Sequence, residues 1–293
     1  MVFITAVVTG RNDNYGGHLN ERATYSFNTM LETFDEVIYV DWNTDSGNNI
    51  LTDDLVINDR TKLKTLKVTP ELARQLTQGK ETQKMCEVLA RNVGIRRAKG
   101  RVIVSTNIDI IPPPRKYLDI LVSELKPMEM VTLSKQDVEL EQLDKQFGVS
   151  PDWKTVSELL TNLVGLWPLT KRLMCPHLVV NRDLLTQVPP QHAHSFASII
   201  MACGDFQIAL KDTWHTIKGF EESMIKRSYA DTVVQYKTIM AGGTVRATNY
   251  PPVYHIEHER DNNPAVQNSM DLPVRTTNAD TWGFNDIKIP SRQ

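Results

Sequence analysis

The sequence has few cysteines and no long hydrophobic run, and each scarcity argues against a class of protein. Its three cysteines, Cys86, Cys175 and Cys203, are widely spaced and form no CxxC pair. That pattern is typical of buried thiols in a reducing compartment and not of a disulfide framework. No stretch reaches 18 uninterrupted apolar residues, and the apolar start, MVFITAVVTG, lacks the basic region and cleavage site of a signal peptide. We therefore expect a soluble, cytoplasmic protein with no transmembrane segment.

A strong net charge and a glycine-rich phosphate loop are also missing. The net charge of -2 gives no overall positive field to hold a nucleic-acid backbone, so DNA and RNA are not expected as partners. Neither GxGxxG nor GxxxxGK followed by Ser or Thr occurs, which removes the main evidence for a dinucleotide-binding or P-loop protein. The 293 residues, 41% of them hydrophobic, are enough for a sizeable globular core.

Hydrophobic periodicity predicts strands and helices in alternation. Apolar strands are predicted at 2–9, 36–42 and 101–106, with helices over 19–34 and near 80–98 between them. This order is typical of an α/β fold with a mostly parallel sheet flanked by helices on both faces. Further along the chain we predict helices near 115–126, 153–165, 204–215 and 229–241, and strands near 129–134, 177–181 and 244–257.

Polar stretches accompany these elements. A polar segment precedes the helix near 80–98, and the charged stretch 135–148 is interpreted as solvated surface or as a loop over a site. The aperiodic residues 264–293 predict a tail or strap across the surface. No repeat and no separating linker is present, which favours a single domain, 1–293.

Three successive predicted strands end in polar clusters. TGRND lies at 9–13, DWN at 41–43 and TNID at 106–109. Ligands of parallel α/β sheets gather beyond the carboxyl ends of the strands, and core packing does not require polar clusters there. The coincidence predicts a ligand site at that edge of the sheet.

The third cluster has the chemistry of a cation site. Asn107 and Asp109 stand at a strand end, and prolines 112–114 restrict the backbone just beyond them. A rigidly aimed carboxylate can hold Mg²⁺ or Mn²⁺ against the phosphates of a nucleotide. The alternative interpretation is that Asp109 caps the following turn.

Two further clusters come late in the chain. HIEHERDNN places His255 and His258 three residues apart, so their imidazoles can meet at one ion if the chain turns between them; otherwise they are surface or core histidines. With one carboxylate, such imidazoles favour Mn²⁺ over Mg²⁺. GFEES at 219–223 holds the adjacent Glu221 and Glu222, whose alternative role is to stabilise the first turn of a helix.

Residues 90–113, ARNVGIRRAKGRVIVSTNIDIIPP, resemble the signature of the GT-A glycosyltransferases. These nucleotide-sugar-dependent transferases have one Rossmann-like domain. In them a helix carrying Arg-Asn-x-Gly, which begins here at Arg91, leads through Ala-x-Gly into a strand ending in Asp-x-Asp. Asn107 replaces the first Asp in this chain, and its amide can hydrogen-bond a ribose hydroxyl, while Asp109 keeps the usual metal position.

The two late clusters have counterparts in the same family. Residues 255–263 are similar to the metal-binding segment of animal β-1,4-galactosyltransferases, with His258 at the histidine ligand and His255 at the other ligand. GFEES resembles the acceptor-site motif of inverting members, which implies that Glu222 deprotonates the acceptor hydroxyl and that Glu221 holds the acceptor. Asp205 either lines the acceptor side or caps a helix.

The resemblance also implies residues that bind the sugar-nucleotide donor. At the first strand end, Gly10 allows close approach of the backbone, Arg11 reaches phosphate or base, and Asp13 accepts from the uracil N–H. Asp41 is placed like the family's contact to uracil or ribose, and residues 14–17 form a turn over the nucleotide. The implied donor-binding residues are Gly10, Arg11, Asp13, Asp41, Arg91, Asn107 and Asp109.

The implied function is metal-dependent transfer, with inversion, of a hexose or pentose from a UDP-sugar to a hydroxyl of a glycan or glycoprotein acceptor. Mn²⁺ or Mg²⁺ would be the cofactor. Residues 1–114 would bind the nucleotide sugar, 115–263 would bind the acceptor and carry catalysis, and 264–293 would be the tail. Short enzymes of this type occur in bacteria and in large DNA viruses, including chloroviruses that glycosylate their capsids, and a capsid-glycan xylosyltransferase is the individual activity that we expect.

Three alternatives stay open. The transfer could proceed with retention instead of inversion. A sugar-phosphate nucleotidyltransferase shares the Rossmann-like start and the metal carboxylates, but a glycine-rich loop with Lys or Arg should follow its first strand, and TGRNDNYGG is a poor version of that loop. A non-catalytic carbohydrate-binding protein would not need three polar strand ends and a histidine pair.

Overall fold

A single mixed β-sheet runs through the residues that the structure, a computed structural model, describes. Those residues are 1–79, 84–148, 151–163, 172–173, 178–187, 204–224, 230–259 and 278–293. The strands are β1 (Ile4–Gly10), β2 (Glu36–Trp42), β3 (Leu63–Val68), β4 (Val102–Thr106), β5 (Ile110–Ile111), β6 (Glu129–Val138), β7 (Arg172–Leu173), β8 (Leu178–Val180), β9 (Phe206–Leu210), β10 (Thr244–Ile256) and β11 (Ser291–Arg292). Their order in the sheet is β11-β3-β2-β1-β4-β9-β6-β10-β5, with β7 beside β6 and β8 beside β10.

Helices cover both faces of this sheet, as the α/β prediction requires. They are α1 (Leu19–Thr33), α2 (Leu51–Asp54), α3 (Pro70–Leu76), α4 (Glu87–Arg97), α5 (Arg115–Ser123), α6 (Leu140–Phe147), α7 (Trp153–Leu163), α8 (Arg182–Gln187), α9 (Lys211–Thr216) and α10 (Ala230–Met240). Side chains of α3, α4 and α10 pack in one core cluster, and those of α1, α2 and α5 pack in the other. None of the described helices has both the length and the apolar character that a membrane crossing needs.

The first half of the sheet is parallel. Strands β3, β2, β1 and β4 all run in one direction, and the register places Gly10 beside Asp41. Strand β1 is buried on both sides, because Val7 belongs to one core cluster while Ala6 and Val8 belong to the other. A strand covered on both faces is mostly apolar, which explains the near-continuous apolar run in the sequence, and the buried Thr5 hydroxyl within it donates to Glu36 at 2.8 Å. The carboxyl ends of these strands therefore share one edge.

The second half of the sheet is mixed. Strand β9 lies antiparallel between β4 and β6, and β10 runs parallel to β6. The predicted helix over 204–215 is therefore wrong: residues Phe206–Leu210 form β9, and only Lys211–Thr216 are helical. Short apolar runs fit a strand and a buried helix equally well, and here the hydrogen bonds to β4 and β6 decide. Because β9 reverses direction, β4, β6 and β10 end at the same edge.

Regular structure also occurs in two stretches predicted as polar or loop-like. Strand β3 lies in the polar segment before α4, where LKTLKV alternates lysines with buried residues. In the charged stretch 135–148, β6 continues to Val138 and α6 follows. Helix α6 has polar residues on most of its surface and buries Leu143. The helix predicted near 80–98 begins at Glu87 in the structure, and residues 80–83 lie outside the described part.

The signature helix α4 connects the sheet to the loop after α9. Arg91 donates to the hydroxyl of Ser105 on β4 at 2.6 Å. Asn92 accepts from the backbone N–H of Phe220 at 2.8 Å and donates to its carbonyl at 2.9 Å. Gly94 packs on β1 and β2, since a Cβ atom there would lie 3.1 Å from Val40 Cγ2 and nearer still to Val7. The Arg-Asn-x-Gly pattern is thus explained by three packing constraints.

The described end of the predicted tail belongs to the sheet. Residues 291–292 form β11, which pairs antiparallel with β3. Trp282, in a short 3-10 helix, is 2% exposed and packs in the core cluster that contains α4. The tail thus returns to the half of the sheet built from the start of the chain.

Candidate active site

A cavity of about 390 Å³ opens where β1, β4, β6 and β10 end. The polar strand ends predicted from the sequence supply much of its wall. The described residues that line it are Thr9, Gly10, Arg11, Asp13, Tyr15, Leu19, Met85, Glu87, Asn107, Ile108, Asp109, Lys135, Asp205, Asp231, His255 and His258. This is the edge of an α/β sheet where ligands bind.

Asp109, His255 and His258 lie together in the cavity wall. Nε2 of His258 is 3.0 Å from Oδ2 of Asp109, and Nε2 of His255 is 3.8 Å from the same oxygen. One ligand atom from each of the three residues lies within 4.8 Å of the others. The structure thus brings together the three residues that the sequence proposed as metal ligands.

Strand pairing explains why residues so far apart in the sequence meet. Strand β5 follows Asp109 directly and pairs antiparallel with β10, which places Ile110 beside His255. The backbone N–H of Ile256 donates to the carbonyl of Asp109 at 2.9 Å. The buried prolines 112–114 then end β5 after two residues. The position of Asp109 is therefore fixed by the backbone of the strand that carries His255.

The two imidazoles are oriented by hydrogen bonds on their outer nitrogens. Nδ1 of His255 lies 2.8 Å from Oδ1 of Asp137, which the register of β6 and β10 places beside it. Nδ1 of His258 lies 2.8 Å from the carbonyl of Glu259. Both rings therefore present Nε2 to Asp109. Metal-binding histidines in proteins are held in this way, with the outer nitrogen donating to a carboxylate or carbonyl.

Asp109 itself has the character of a ligand. It is 5% exposed, and its Oδ1 makes no hydrogen bond to any residue that the structure describes. Such an orphaned buried oxygen is costly unless an ion or water satisfies it. Burial alone would raise the pKa of Asp109, but the hydrogen bond from His258 and the charges of His255 and Arg22 lower that pKa below its ordinary value. The donor set of one carboxylate and two imidazoles suits a transition-metal cation such as Mn²⁺.

Arg22 on α1 is a member of this site that the sequence analysis missed. Its guanidinium is 1% exposed and donates to Oδ2 of Asp109 at 3.1 Å. The same group also donates to the carbonyls of Tyr15 and Gly17, the latter at 3.1 Å. Only the inward position of Arg22 on a helix with buried neighbours could have suggested this role.

The first strand end supplies a positioned cation. Arg11 is 4% exposed, donates to the carbonyl of Asn43 at 2.7 Å and lies 2.7 Å from a carboxylate oxygen of Asp13.

Gly10 also lines the cavity, but a Cβ atom there would lie 2.6 Å from the Ile108 side chain. Packing against Ile108 therefore explains why a glycine stands at position 10. The Ile108 side chain also limits how closely a ligand can approach the Gly10 backbone.

Asp41 is not among the described residues that line the cavity. It is 1% exposed, and its Oδ1 accepts from the hydroxyl of Thr44 at 2.7 Å. Burial raises the pKa of Asp41. Its place at the end of β2, beside Gly10, keeps it close to the cavity edge. A contact between Asp41 and a nucleotide remains a prediction.

A hydrogen-bonded chain crosses the cavity floor from α4 to β6. Arg91 donates to the amide oxygen of Asn107, and the Asn107 amide donates to Oδ1 of Asp205 at 2.6 Å. The ammonium of Lys135 lies 2.7 Å from Oδ2 of Asp205. The expected alternative of Asp205 as a helix cap is wrong, because β9 follows it. Lys135 was missed because it begins the charged stretch that was interpreted as surface.

The acidic turn GFEES is hydrogen-bonded to α4 through Phe220 and Asn92. Oε1 of Glu222 accepts from the Asn92 amide at 3.0 Å and from the backbone N–H of Gly283 at 2.8 Å. Glu221 is 5% exposed, and its Oε2 lies 3.7 Å from the ammonium of the buried Lys237. Burial raises the pKa of Glu222 and lowers the pKa of Lys237 to about 8. Within the described chain, neither glutamate reaches the cavity wall.

Asp231 is the carboxylate that this part of the chain contributes to the cavity. It lies in the first turn of α10, whose residues Thr232–Gln235 are buried. The carboxylate packs against Gly204, where any Cβ atom would overlap it. Sequence reasoning missed Asp231 because the helix near 229–241 was predicted from periodicity alone. The available signal was an acidic residue in the first turn of the predicted helix, shortly after the acidic segment GFEES.

Solved structures share this architecture. S. aureus TarS superposes with a TM-score of 0.51, at 12% identity, over 87% of this chain and 37% of that chain. GalNAc-T7, solved with UDP, GalNAc and Mn²⁺, superposes with a TM-score of 0.52, at 10% identity, over 88% of this chain and 44% of that chain. Both are GT-A glycosyltransferases. The chain has the GT-A fold.

The resemblance is one of fold and not of close sequence kinship. No protein family model and no curated protein matches the sequence. The chain spans less than half the length of the two GT-A structures. The predicted α/β class and GT-A fold are confirmed.

Proposed function

We propose that the protein is a metal-dependent glycosyltransferase that moves a sugar from a UDP-sugar to a hydroxyl of a glycan acceptor. The observation that carries this proposal is the meeting of Asp109, His255 and His258 in the cavity wall of a GT-A fold. GalNAc-T7, which shares the fold, was solved with UDP, GalNAc and Mn²⁺, and this supports a nucleotide-sugar donor and that metal here.

Asp109, His255 and His258 would hold the metal. When bound, a divalent cation stabilises the negative charge that develops on a departing diphosphate. The orphaned Oδ1 of Asp109 and the two oriented imidazoles fit such an ion. Mn²⁺ is favoured over Mg²⁺ because imidazole nitrogen is a poor ligand for the harder ion.

Two cationic side chains in the cavity wall would orient the donor. Arg11 is held by Asn43 and Asp13, and Lys135 is held by Asp205, so both charges are fixed in place. Fixed cations form charge-assisted hydrogen bonds with phosphate oxygens at little cost in side-chain entropy. Arg91 acts through Asn107, whose amide it holds toward the donor, and the roles of Gly10 and Asp41 remain those of the predicted nucleotide pocket.

Asp231 is the general base in this proposal, in place of the predicted Glu222. The base must lie within hydrogen-bonding reach of the acceptor hydroxyl, and Asp231 lines the cavity on the first turn of a buried helix. Glu222 would then fix the loop after α9 through Asn92 and Gly283. Asp205, which directly precedes β9 and lines the same cavity, would contact the acceptor. Glu221, which was predicted to hold the acceptor, would instead stabilise the acidic turn beside the buried Lys237. A single base on one side of the sugar favours inversion.

The test is a donor panel assayed with the full chain. We expect UDP release from one UDP-sugar in the presence of Mn²⁺ and an acceptor glycan, and loss of that release with EDTA. The panel should contain UDP-xylose, UDP-glucose, UDP-galactose, UDP-GlcNAc and the GDP-sugars, because the transferred sugar is proposed to be a hexose or a pentose, xylose among them. The anomeric configuration of the product, read by NMR, decides between inversion and retention.

A second arm addresses the nucleotidyltransferase alternative. UTP and sugar 1-phosphates are supplied together, and pyrophosphate is measured. Pyrophosphate formation without any transfer from UDP-sugars would overturn the glycosyltransferase proposal. Absence of both reactions, with tight binding of free glycans, would favour the non-catalytic alternative instead.

Removing the carboxylate behind His255 should weaken the metal site while leaving its three ligands in place. Asp137→Asn loses the charged acceptor on Nδ1 of His255, so we expect Mn²⁺ affinity to fall by about 10- to 100-fold. Isothermal titration with Mn²⁺ measures this directly. The matched control is Asp144→Asn, which removes a carboxylate bonded to Tyr25 on α1 and should leave Mn²⁺ binding unchanged. Equal affinities in the two variants would contradict the assigned role of Asp137.

A further inference from the structure

The turn Asn14–Gly17, which precedes α1, packs directly on His258, one of the three proposed metal ligands. Tyr15 meets the ring of His258 edge to face, with 5.3 Å between ring centres. At Gly16 the contact is closer: a Cβ atom there would lie 2.8 Å from Cγ of His258 and 2.9 Å from the carbonyl of Glu259. Real Cβ atoms do not approach other atoms so closely. The space beside the His258 imidazole therefore exists only because residue 16 has no side chain.

This turn has an unusual backbone. Asn14, Gly16, Gly17 and His18 all have φ between 49° and 73°, in the left-handed region. At Asn14 and His18 this conformation is costly and persists only where surrounding contacts hold it, whereas glycine adopts it readily. The amide N–H of Gly17 donates to the carbonyl of Asn14 at 3.0 Å, which closes the turn. The strained shape places Gly16, and not a residue with a side chain, against His258.

Arg22 fastens the same turn to the metal carboxylate. Its Nε donates to the carbonyl of Gly17 at 3.1 Å, Nη2 donates to the carbonyl of Tyr15, and Nη1 donates to Oδ2 of Asp109 at 3.1 Å. One buried guanidinium thus bonds both ends of the Gly16 backbone segment and a metal ligand. A displacement of the turn would move Arg22 relative to Asp109 and Gly16 relative to His258.

We propose that Gly16 and Arg22 are positioning residues for the metal, which set the orientation of His258 and Asp109 without binding the ion. Because Gly16 has no side chain, the His258 ring packs against it in the position where Nδ1 lies 2.8 Å from the Glu259 carbonyl. The ring then directs Nε2 to Asp109. Tyr15 also lines the cavity, so the turn borders both the metal ligands and the space proposed for the donor. This inference rests on the metal site proposed above.

The neighbouring glycine supplies a matched control. Gly16 and Gly17 have the same φ of 73°, so alanine carries the same backbone strain at either position. A Cβ atom at Gly17, however, would meet nothing within 4 Å. The two substitutions therefore share the same unfavourable φ, and Gly16→Ala adds the collision with His258 and Glu259.

The experiment compares Mn²⁺ affinities of the wild-type chain, Gly16→Ala and Gly17→Ala by isothermal titration without nucleotide. We expect Gly16→Ala to bind Mn²⁺ at least about tenfold more weakly, the size of effect that supporting residues of metal sites produce, and Gly17→Ala to stay within about threefold of wild type. Melting curves without metal show whether both variants are folded, and Gly16→Ala should melt lower than Gly17→Ala because its Cβ atom collides with His258 and Glu259. Gly16→Asn and Gly17→Asn form a second pair that tolerates the left-handed backbone better and keeps the comparison decisive if alanine disturbs the turn.

Two results would overturn the inference alone. Gly16→Ala could bind Mn²⁺ as tightly as wild type, or the two glycine variants could be weakened equally, which would assign the effect to backbone strain. A wild-type chain that binds no Mn²⁺ would overturn the metal site itself, and the inference with it.

Discussion

Asp109→Asn is expected to abolish sugar transfer and to remove tight Mn²⁺ binding. The substitution keeps the shape of the side chain but removes the carboxylate from the three proposed metal ligands, Asp109, His255 and His258. Lewis-acid stabilisation of a leaving diphosphate is worth several kcal/mol, and about 4 kcal/mol corresponds to a rate loss of about 10³-fold. UDP release at saturating donor and Mn²⁺, together with Mn²⁺ titration, measures both effects.

The control for this prediction is Asp59→Asn, which removes an exposed carboxylate that accepts from the backbone N–H of Thr61. Its activity and Mn²⁺ affinity should match wild type. Because Asp109→Asn also deprives the buried Arg22 of its carboxylate, a melting curve is needed to show that the variant is folded. His258→Ala gives a second route to the same loss. A folded Asp109→Asn protein that turns over at near-normal rate would show that the metal assignment is wrong.

Asp231→Asn is expected to lower the rate of transfer by about 10²- to 10⁴-fold while the affinity for the UDP-sugar stays unchanged. A general base contributes a factor of this size, and it acts on the acceptor and not on the nucleotide. Asp231 is the acidic residue of α10 that lines the cavity, so it can meet an acceptor hydroxyl there. The measurements are kcat for transfer and donor affinity by titration with UDP.

Glu222→Gln is the companion variant, because it tests the base predicted from the sequence. The Glu222 carboxylate accepts from Asn92 and from the backbone of Gly283, and glutamine retains an oxygen for at least one of these bonds. We expect most of the activity to remain and the melting temperature to fall slightly. The opposite pattern, with activity lost in Glu222→Gln and kept in Asp231→Asn, would return the role of base to the acidic turn.

Sequence reasoning went furthest where the chemistry depends on strand ends. The apolar strand before Asp109 and the prolines after it restrict the directions in which its carboxylate can point. The histidine pair could bind an ion only together with that carboxylate. The structure places Asp109, His255 and His258 together, and the pairing of β5 with β10 is the reason. That pairing involves two residues of β5 and could not be read from periodicity.

The residues that the sequence did not indicate are those whose direction depends on packing. Lys135 stands in a charged stretch, and only the extension of β6 to Val138 turns it toward the cavity. Arg22 is a charged helical residue of the kind that sequence reasoning places in solvent, yet it is buried on a helix that contacts α7 and β5. The acidic turn offered two carboxylates, but the hydrogen bonds of Asn92 direct Glu222 away from the cavity wall. Sequence spacing indicates that such groups are present, but it does not indicate the direction in which their side chains point.

The Asn107–Asp205 contact limits which residue can stand at position 107. An aspartate there would set two carboxylates at the 2.6 Å distance now spanned by a hydrogen bond. Two like charges that close repel strongly in a partly buried site, so this single change is disfavoured. In this chain Asp205 carries the negative charge, and Lys135 balances it. An aspartate at residue 107 is therefore compatible with this site when residue 205 is neutral.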